Sequence, residues 1–266
     1  MSHDKDNSGD LRHLFAGAVD AGTWSADTSA LLTGNLGAVI VAGAAGTALE
    51  DITASDVTLI TVLIDASSSI AARNLEQAVR DGQNALVDAF AGAKEATSIL
   101  MALWTFADAS EVAHAYLPVS DALRLDRKSY RAHGSTRLYD TWCDALAANV
   151  AYGQQLRDGG TPCRSVVVVI TDGEDCGSRR TAGDCAKVSR DLLASEQFIL
   201  AFVGVGDDVD FRAVAKSMGV PDGCVAVQKD ATASQLRRVF QLVSQSAIRA
   251  SQGRIQPGAS AGFFQP

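Results

Sequence analysis

Asp65, Ser67 and Ser69 stand two residues apart in the run Asp65-Ala-Ser-Ser-Ser69. One carboxylate and two hydroxyls on a tight loop are hard oxygen donors aimed at one point, which is what a magnesium-class cation requires. Two more oxygen-bearing residues lie far off in the chain: Thr136, in Gly134-Ser-Thr136, and Asp172, at the end of an apolar run. Two carboxylates offset the charge of a divalent ion, and three hydroxyls add donors without adding charge. Such an ion takes about six oxygens near 2.1 Å and tends to keep waters. Five protein groups therefore leave an exchangeable position that a carboxylate from outside can fill. Each residue also has a plainer reading on its own. Ser67 to Ser69 could cap the helix that follows, Thr136 could be an ordinary loop hydroxyl, and Asp172 could form a turn before Gly173. The single-site reading needs one coincidence of position where the plain readings need three.

The elements around these residues must bring them together. Val57 to Ile64 is apolar but for two threonines, and Ser165 to Thr171 reads SVVVVIT. Neither alternates, so both read as buried strands of a parallel sheet, ending at Asp65 and Asp172. Ser98–Phe106, Phe198–Val205 and Cys224–Val227 are further strands. Glu111–Leu117 alternates and stops at Pro118, as an edge strand does. Helical spacing marks Ile70–Phe90, Leu138–Leu156, a helix ending near Ser195, Val209–Met218, and a last helix opened by a capping box at Thr232-Ala-Ser-Gln. The expected fold is α/β: a doubly wound, Rossmann-like, mostly parallel six-stranded sheet with helices on both faces and one antiparallel edge strand. In such sheets the ligand crevice lies at the carboxyl ends of the strands, where the winding reverses. Residues 1–13 are expected to be disordered. Residues 14–55 form an extension of small apolar residues, 56–251 the main domain, and 252–266 a flexible tail.

Composition narrows the functions. The 266-residue chain is 47% hydrophobic and 6% aromatic, with a formal net charge of −8. No Lys/Arg cluster is long enough to follow a phosphate backbone, which argues against nucleic acid. The five cysteines, Cys143, Cys163, Cys176, Cys185 and Cys224, are odd in number and contain no CxxC pair. Unpaired thiols in a reducing cytoplasm are expected, although Cys176 and Cys185 could pair if oxidised. The polar start MSHDKDNSGD is no signal peptide. The uncharged run Leu31–Leu49 is nearly long enough to span a membrane. Its four glycines and Asn35 favour a buried strand–turn segment instead, with Val39–Val41 as a short strand. A GxxG is present there, but no GxGxxG and no following Lys, so a phosphate loop is not expected.

Three ordered motifs carry a family resemblance. Asp65-Ala-Ser-Ser-Ser resembles the metal-ion-dependent adhesion site of von Willebrand factor A domains. Gly134-Ser-Thr136-Arg-Leu-Tyr-Asp140 resembles the family's second loop, and Thr171-Asp172-Gly173-Glu174 after Val166–Ile170 resembles its third. Phe202-Val-Gly-Val-Gly-Asp-Asp-Val-Asp-Phe211 is similar to bacterial intracellular members. The likeness covers about residues 56–250; Ser135 stands where many members have a second glycine. It implies Asp65, Ser67, Ser69, Thr136 and Asp172 as metal ligands for Mg2+, or for Ca2+ or Mn2+. It further implies a non-enzymatic, cytoplasmic module whose partner protein donates an Asp or Glu to the metal. That partner would sit within a bacterial multiprotein assembly or be an AAA+ ATPase of the MoxR type. Two alternatives stand beside this. Residues 14–55 could drive self-assembly. The crevice could instead serve magnesium-dependent phosphoryl transfer or hydrolysis, against which stand the missing phosphate loop and the lack of a Ser or Cys nucleophile with a plausible His partner.

Overall fold

The computed structural model, which describes residues 4–34, 36–255 and 262–264, has six strands. They are β1 (Val57–Asp65), β2 (Ile99–Phe106), β3 (Ser110–Pro118), β4 (Cys163–Thr171), β5 (Phe198–Val205) and β6 (Val225–Gln228). Their order across the sheet is β3-β2-β1-β4-β5-β6. All neighbours are parallel except β2 and β3, so the edge strand is the antiparallel one expected. β1, β2 and β5 are buried at every position, which is why no alternation shows in their sequences.

The helices are α1 (Asp4–Asp20), α2 (Ala26–Thr33), α3 (Ala38–Gly43), α4 (Ser68–Ala72), α5 (Glu76–Ala91), α6 (Leu138–Asp158), α7 (Ala182–Ala194), α8 (Phe211–Ser217) and α9 (Ala233–Ser251). α5 and α9 pack on each other over one face of the sheet, while α6 and α7 cover the other. α6 is buried nearly all round, including Trp142, Leu146, Val150 and Leu156. It is a middle layer: α1 and α3 pack on its far side, and α2 reaches α7.

Several sequence expectations give way here. The stretch expected to be disordered to residue 13 is helical from Asp4, with Leu11 and Phe15 buried; residues 1–3 lie outside the described residues. Val39–Val41 lies in a helix, α3, not a strand. A short apolar run carries no periodicity to tell the two apart, and here Gly43 lets the helix close on Trp104 and Ala148, where any Cβ would collide with the indole. The membrane-like run is cut into α2 and α3, with Gly37 at the N-cap of the second. Among the described residues no helix is long and apolar enough to cross a membrane. The next residues, Ala45 to Thr47, hydrogen-bond to Tyr116 along the outer side of β3 and cover the sheet's edge. The helix expected over Ile70–Phe90 is broken into α4 and α5, with Asn74 at φ +55° between them. Of the tail expected to be flexible, Phe263 is buried and its carbonyl accepts from Arg249 Nη2 at 3.0 Å. Residues 256–261 and 265–266 lie outside the described residues.

Candidate metal centre

β1 and β4 are adjacent and in register, Ile64 beside Ile170. Asp65 and Asp172 therefore leave the sheet at neighbouring carboxyl ends. The chain winds outward in opposite directions from these two strands, so this is the reversal point. Asp65 is held on both oxygens: Oδ1 accepts from the Ser67 amide at 2.8 Å and Oδ2 from Thr171 Oγ1 at 2.5 Å. The Ser67 and Ser69 hydroxyls lie 3.0 Å apart, and Ser69 Oγ donates to Asp172 Oδ1 at 2.7 Å. Ser67 occupies the N-cap of α4 but makes no side-chain capping bond, so the capping reading does not account for its hydroxyl. Four of the five expected residues thus form one hydrogen-bonded cluster.

The fifth, Thr136, is buried beside it. Its carbonyl accepts from the Cys176 amide at 2.7 Å, and a Cβ built on Gly173 would lie 3.5 Å from its Oγ1. The hydroxyl therefore faces the residue directly after Asp172, and no hydrogen bond ties it to the other four.

A second set of contacts holds these loops. The Tyr130 hydroxyl, buried, donates to the Asp65 carbonyl at 2.6 Å. The His133 amide donates to Ala66 O at 2.7 Å, and Ser68 donates to Gly134 O through both its amide and its hydroxyl. Gly134 sits at φ +79° against the Asp108 carboxylate, so only glycine serves there. Asp108 Oδ1 accepts from the Ser135 amide and hydroxyl at 2.8 and 2.7 Å; these bonds hold its carboxyl below the usual range. Ser135 thereby ties the second loop to the β2–β3 turn. Polar residues of α5 carry the rest of the 119–133 segment. Gln83 pairs with Leu123 and Leu125, Arg80 with Tyr130 O, and Glu76 with the Ala132 amide. In the third loop Asp175 accepts from the Tyr139 amide, and Asp140 accepts from the Arg179 and Arg180 amides. Arg180 pairs with Asp144 at 2.5 Å.

Burial dominates the electrostatics. It pushes Asp65 up to about 6 and raises Asp172 as well. Burial disfavours the charged form of both carboxyls, a cost that a bound cation offsets. Asp172 Oδ2 is buried and has no hydrogen-bond partner; the nearest opposite charge is Arg73 Nη1 at 3.5 Å. An orphaned carboxylate oxygen next to two hydroxyl oxygens fits a hard divalent cation. No cluster of three or more His, Cys, Asp or Glu side chains suited to a metal occurs among the described residues, so any ion here is held by hydroxyls as much as by charge.

Sequence reasoning missed Thr171, Tyr130 and Arg73. Thr171 reads as the last residue of a strand, and the other two as members of a polar loop and a helix. All five cysteines are free. Cys185 faces Cys143, Sγ to Sγ 3.7 Å, rather than the exposed Cys176.

The model of the von Willebrand factor type A domain family matches residues 60–241. No curated protein matches the sequence. Among solved structures, proximal thread matrix protein 1 from the mussel byssus is similar at TM-score 0.51 and 19% identity, over 73% of this chain and 46% of that one. A further structure of that protein is described as having a zinc-occupied MIDAS motif. A D319A mutant of the PilB minor pilin from Streptococcus sanguinis is similar at TM-score 0.54 and 10% identity, over 75% of this chain and 63% of that one. The pilus adhesin SpaC from Lactobacillus rhamnosus GG, in an open conformation, gives 0.53 and 14%, over 73% and 30%. The chain thus spans between 30% and 63% of the length of these three structures, and the likeness is one of fold.

Proposed function

The chain belongs to the von Willebrand factor type A domain family, and from that membership we propose that it is a protein-binding module rather than an enzyme. Asp65, Ser67, Ser69, Thr136 and Asp172 would hold a divalent cation, Mg2+ first, with Ca2+ or Mn2+ as substitutes. The zinc described for the byssus protein makes Zn2+ a fourth ion to try. The observation that carries this reading is the buried Oδ2 of Asp172, which accepts no hydrogen bond, beside the paired serine hydroxyls. When bound, the ion supplies an electrophilic point for one carboxylate oxygen of a partner's Asp or Glu. Asp65 and Asp172 supply its counter-charge. The serine and threonine hydroxyls leave it under-neutralised, so an outside carboxylate gains by joining.

The rim carries both signs: Arg127, Lys128, Arg131 and Arg179 are exposed near the second and third loops, and so are Asp108, Asp126, Glu174, Asp207 and Asp208. Such charges mainly speed encounter and orient it. A bacterial, cytoplasmic setting and an AAA+ ATPase of the MoxR type are the finer proposal, resting on the intracellular resemblance of the 202–211 stretch. Co-purification from native cells, with and without chelator, tests the reading. The partner should be lost with chelator and with Asp172→Ala while circular dichroism stays unchanged. Retention under both conditions overturns it.

A further inference from the structure

Arg73 stands where the helix breaks, and the break is what places it. α4 ends at Ala72, Arg73 is its C-cap, and Asn74 at φ +55° turns the chain into α5. The guanidinium then lies between two carboxylates from other elements. Nη1 is 3.5 Å from Asp172 Oδ2, and Nη2 donates to Asp208 Oδ2. Nη1 is buried and makes no hydrogen bond, so its contact with Asp172 is one of charge. Gly206, in the loop after β5, makes room: it sits at φ +126°, and a Cβ there would come within 3.0 Å of Nη1. A helix end, a strand end and a glycine loop therefore converge to seat one positive charge beside Asp172.

Both oxygens of Asp172 are thus engaged by the chain itself, Oδ1 by the Ser69 hydroxyl and Oδ2 by Arg73. Any divalent cation drawn to Asp172 meets a fixed like charge a few ångströms away. In a partly buried site that repulsion is weakly screened. Arg73 also gives Asp172 a counter-charge when no ion is bound, which keeps the loops together.

We infer that Arg73 sets the affinity of the site, as a built-in cation that competes with the divalent ion for Asp172. This rests on the metal-binding reading above. The test is calorimetric titration of the full chain with MnCl2, for the wild type, Arg73→Gln, Arg73→Lys and Asp172→Ala. Arg73→Gln should bind Mn2+ about tenfold tighter or more, the scale of removing one nearby unit charge. Arg73→Lys, which keeps the charge, should stay within about threefold of wild type on the same reasoning. Melting adds a second readout. Chelator-treated Arg73→Gln should melt below wild type yet gain more on adding Mn2+, because tighter binding to the native state stabilises it more. Arg73→Met, which keeps the aliphatic stem, serves where Gln disturbs the fold. A purely structural role predicts the lower melting point with unchanged or weaker Mn2+ binding, and that result overturns the inference. If wild type binds Mn2+, Asp172→Ala does not, and Arg73→Gln matches wild type, only this inference falls. If no variant binds Mn2+, the metal-site reading falls with it.

Discussion

Ser67 sits where a helix cap is wanted, yet its hydroxyl turns to Ser69 and leaves the cap unmade. That choice costs helix stability, by about 1 kcal/mol for a typical cap, and is repaid if the oxygen has a cation to face. Asp172→Ala is the direct test at this scale. Titration with Mg2+ or Mn2+ should show no binding, and the far-ultraviolet spectrum should be unchanged, since Asp172 follows β4 and its side chain contacts Ser69 and Arg73 rather than the core. Tyr130→Phe probes the support below. It removes a 2.6 Å buried hydrogen bond to the Asp65 carbonyl, at a cost of roughly 1–2 kcal/mol in denaturant unfolding, and should weaken cation binding by loosening the first loop. The candidate ligands were legible because an aspartate at the end of a buried strand, followed by serines at fixed spacing, brings hard oxygen donors together. Tyr130 and Arg73 were not, because their roles depend on which loop or helix end lies opposite.

The packing of α5 on α9 depends on Gly82, where a Cβ would run into the buried ring of Phe240. Gly82→Ala sets two effects against each other. Alanine gains roughly 1 kcal/mol of helix propensity, but forcing atoms into a packed crossing costs typically 1–3 kcal/mol. The collision should win, and the variant should melt below wild type. On β3, burial depresses the titration of His114 below its usual 6.5. The unfolded chain then binds the extra proton more readily, so stability is lost as pH falls through the unfolded value. The melting temperature should drop between about pH 7 and pH 5, and His114→Gln should flatten that slope. At this scale the six sheet strands and the helices α6, α7 and α9 followed from sequence pattern, whereas α1 and α3 did not. The α4–α5 break did not, since Arg73, Asn74 and Leu75 interrupt no periodicity.

Across the molecule, α6 is the pivot. One side packs on the sheet and the other on α1 and α3. Inside, Asn149 donates to the Tyr116 hydroxyl at 2.8 Å and accepts from Ser165 at 2.6 Å, while Thr61 and Tyr116 share a 2.6 Å bond. Tyr116 stacks on Tyr152, whose hydroxyl donates to Thr47 O at 2.8 Å. The extension is therefore bound into the same core as the sheet. The 14–55 extension, considered above for self-assembly, buries Phe15, Trp24, Leu32 and Ile40 within the chain. Deleting residues 1–55 should uncover Trp104, Ala148 and Tyr152, lower the melting temperature and increase binding of a hydrophobic dye. Light scattering on both forms decides the assembly question: an oligomer reduced to a monomer by the deletion would favour assembly through 14–55, and a monomer that starts to aggregate would count against it.

Unbroken β-branched runs ending in aspartate, helical spacing between them and three ordered oxygen-bearing loops determined the sheet, its winding and the candidate ligands. Those signals are local, because burial on both faces and hard-oxygen chemistry are written into residue type. What the extension does, where α4 stops and what stands beside Asp172 were decided only in three dimensions. Each depends on which surface a short segment meets: Gly43 on Trp104, Gly46 on Tyr152, Arg73 between Asp172 and Asp208. Complementarity of that kind belongs to pairs of distant residues, and neither member carries a sign of it alone.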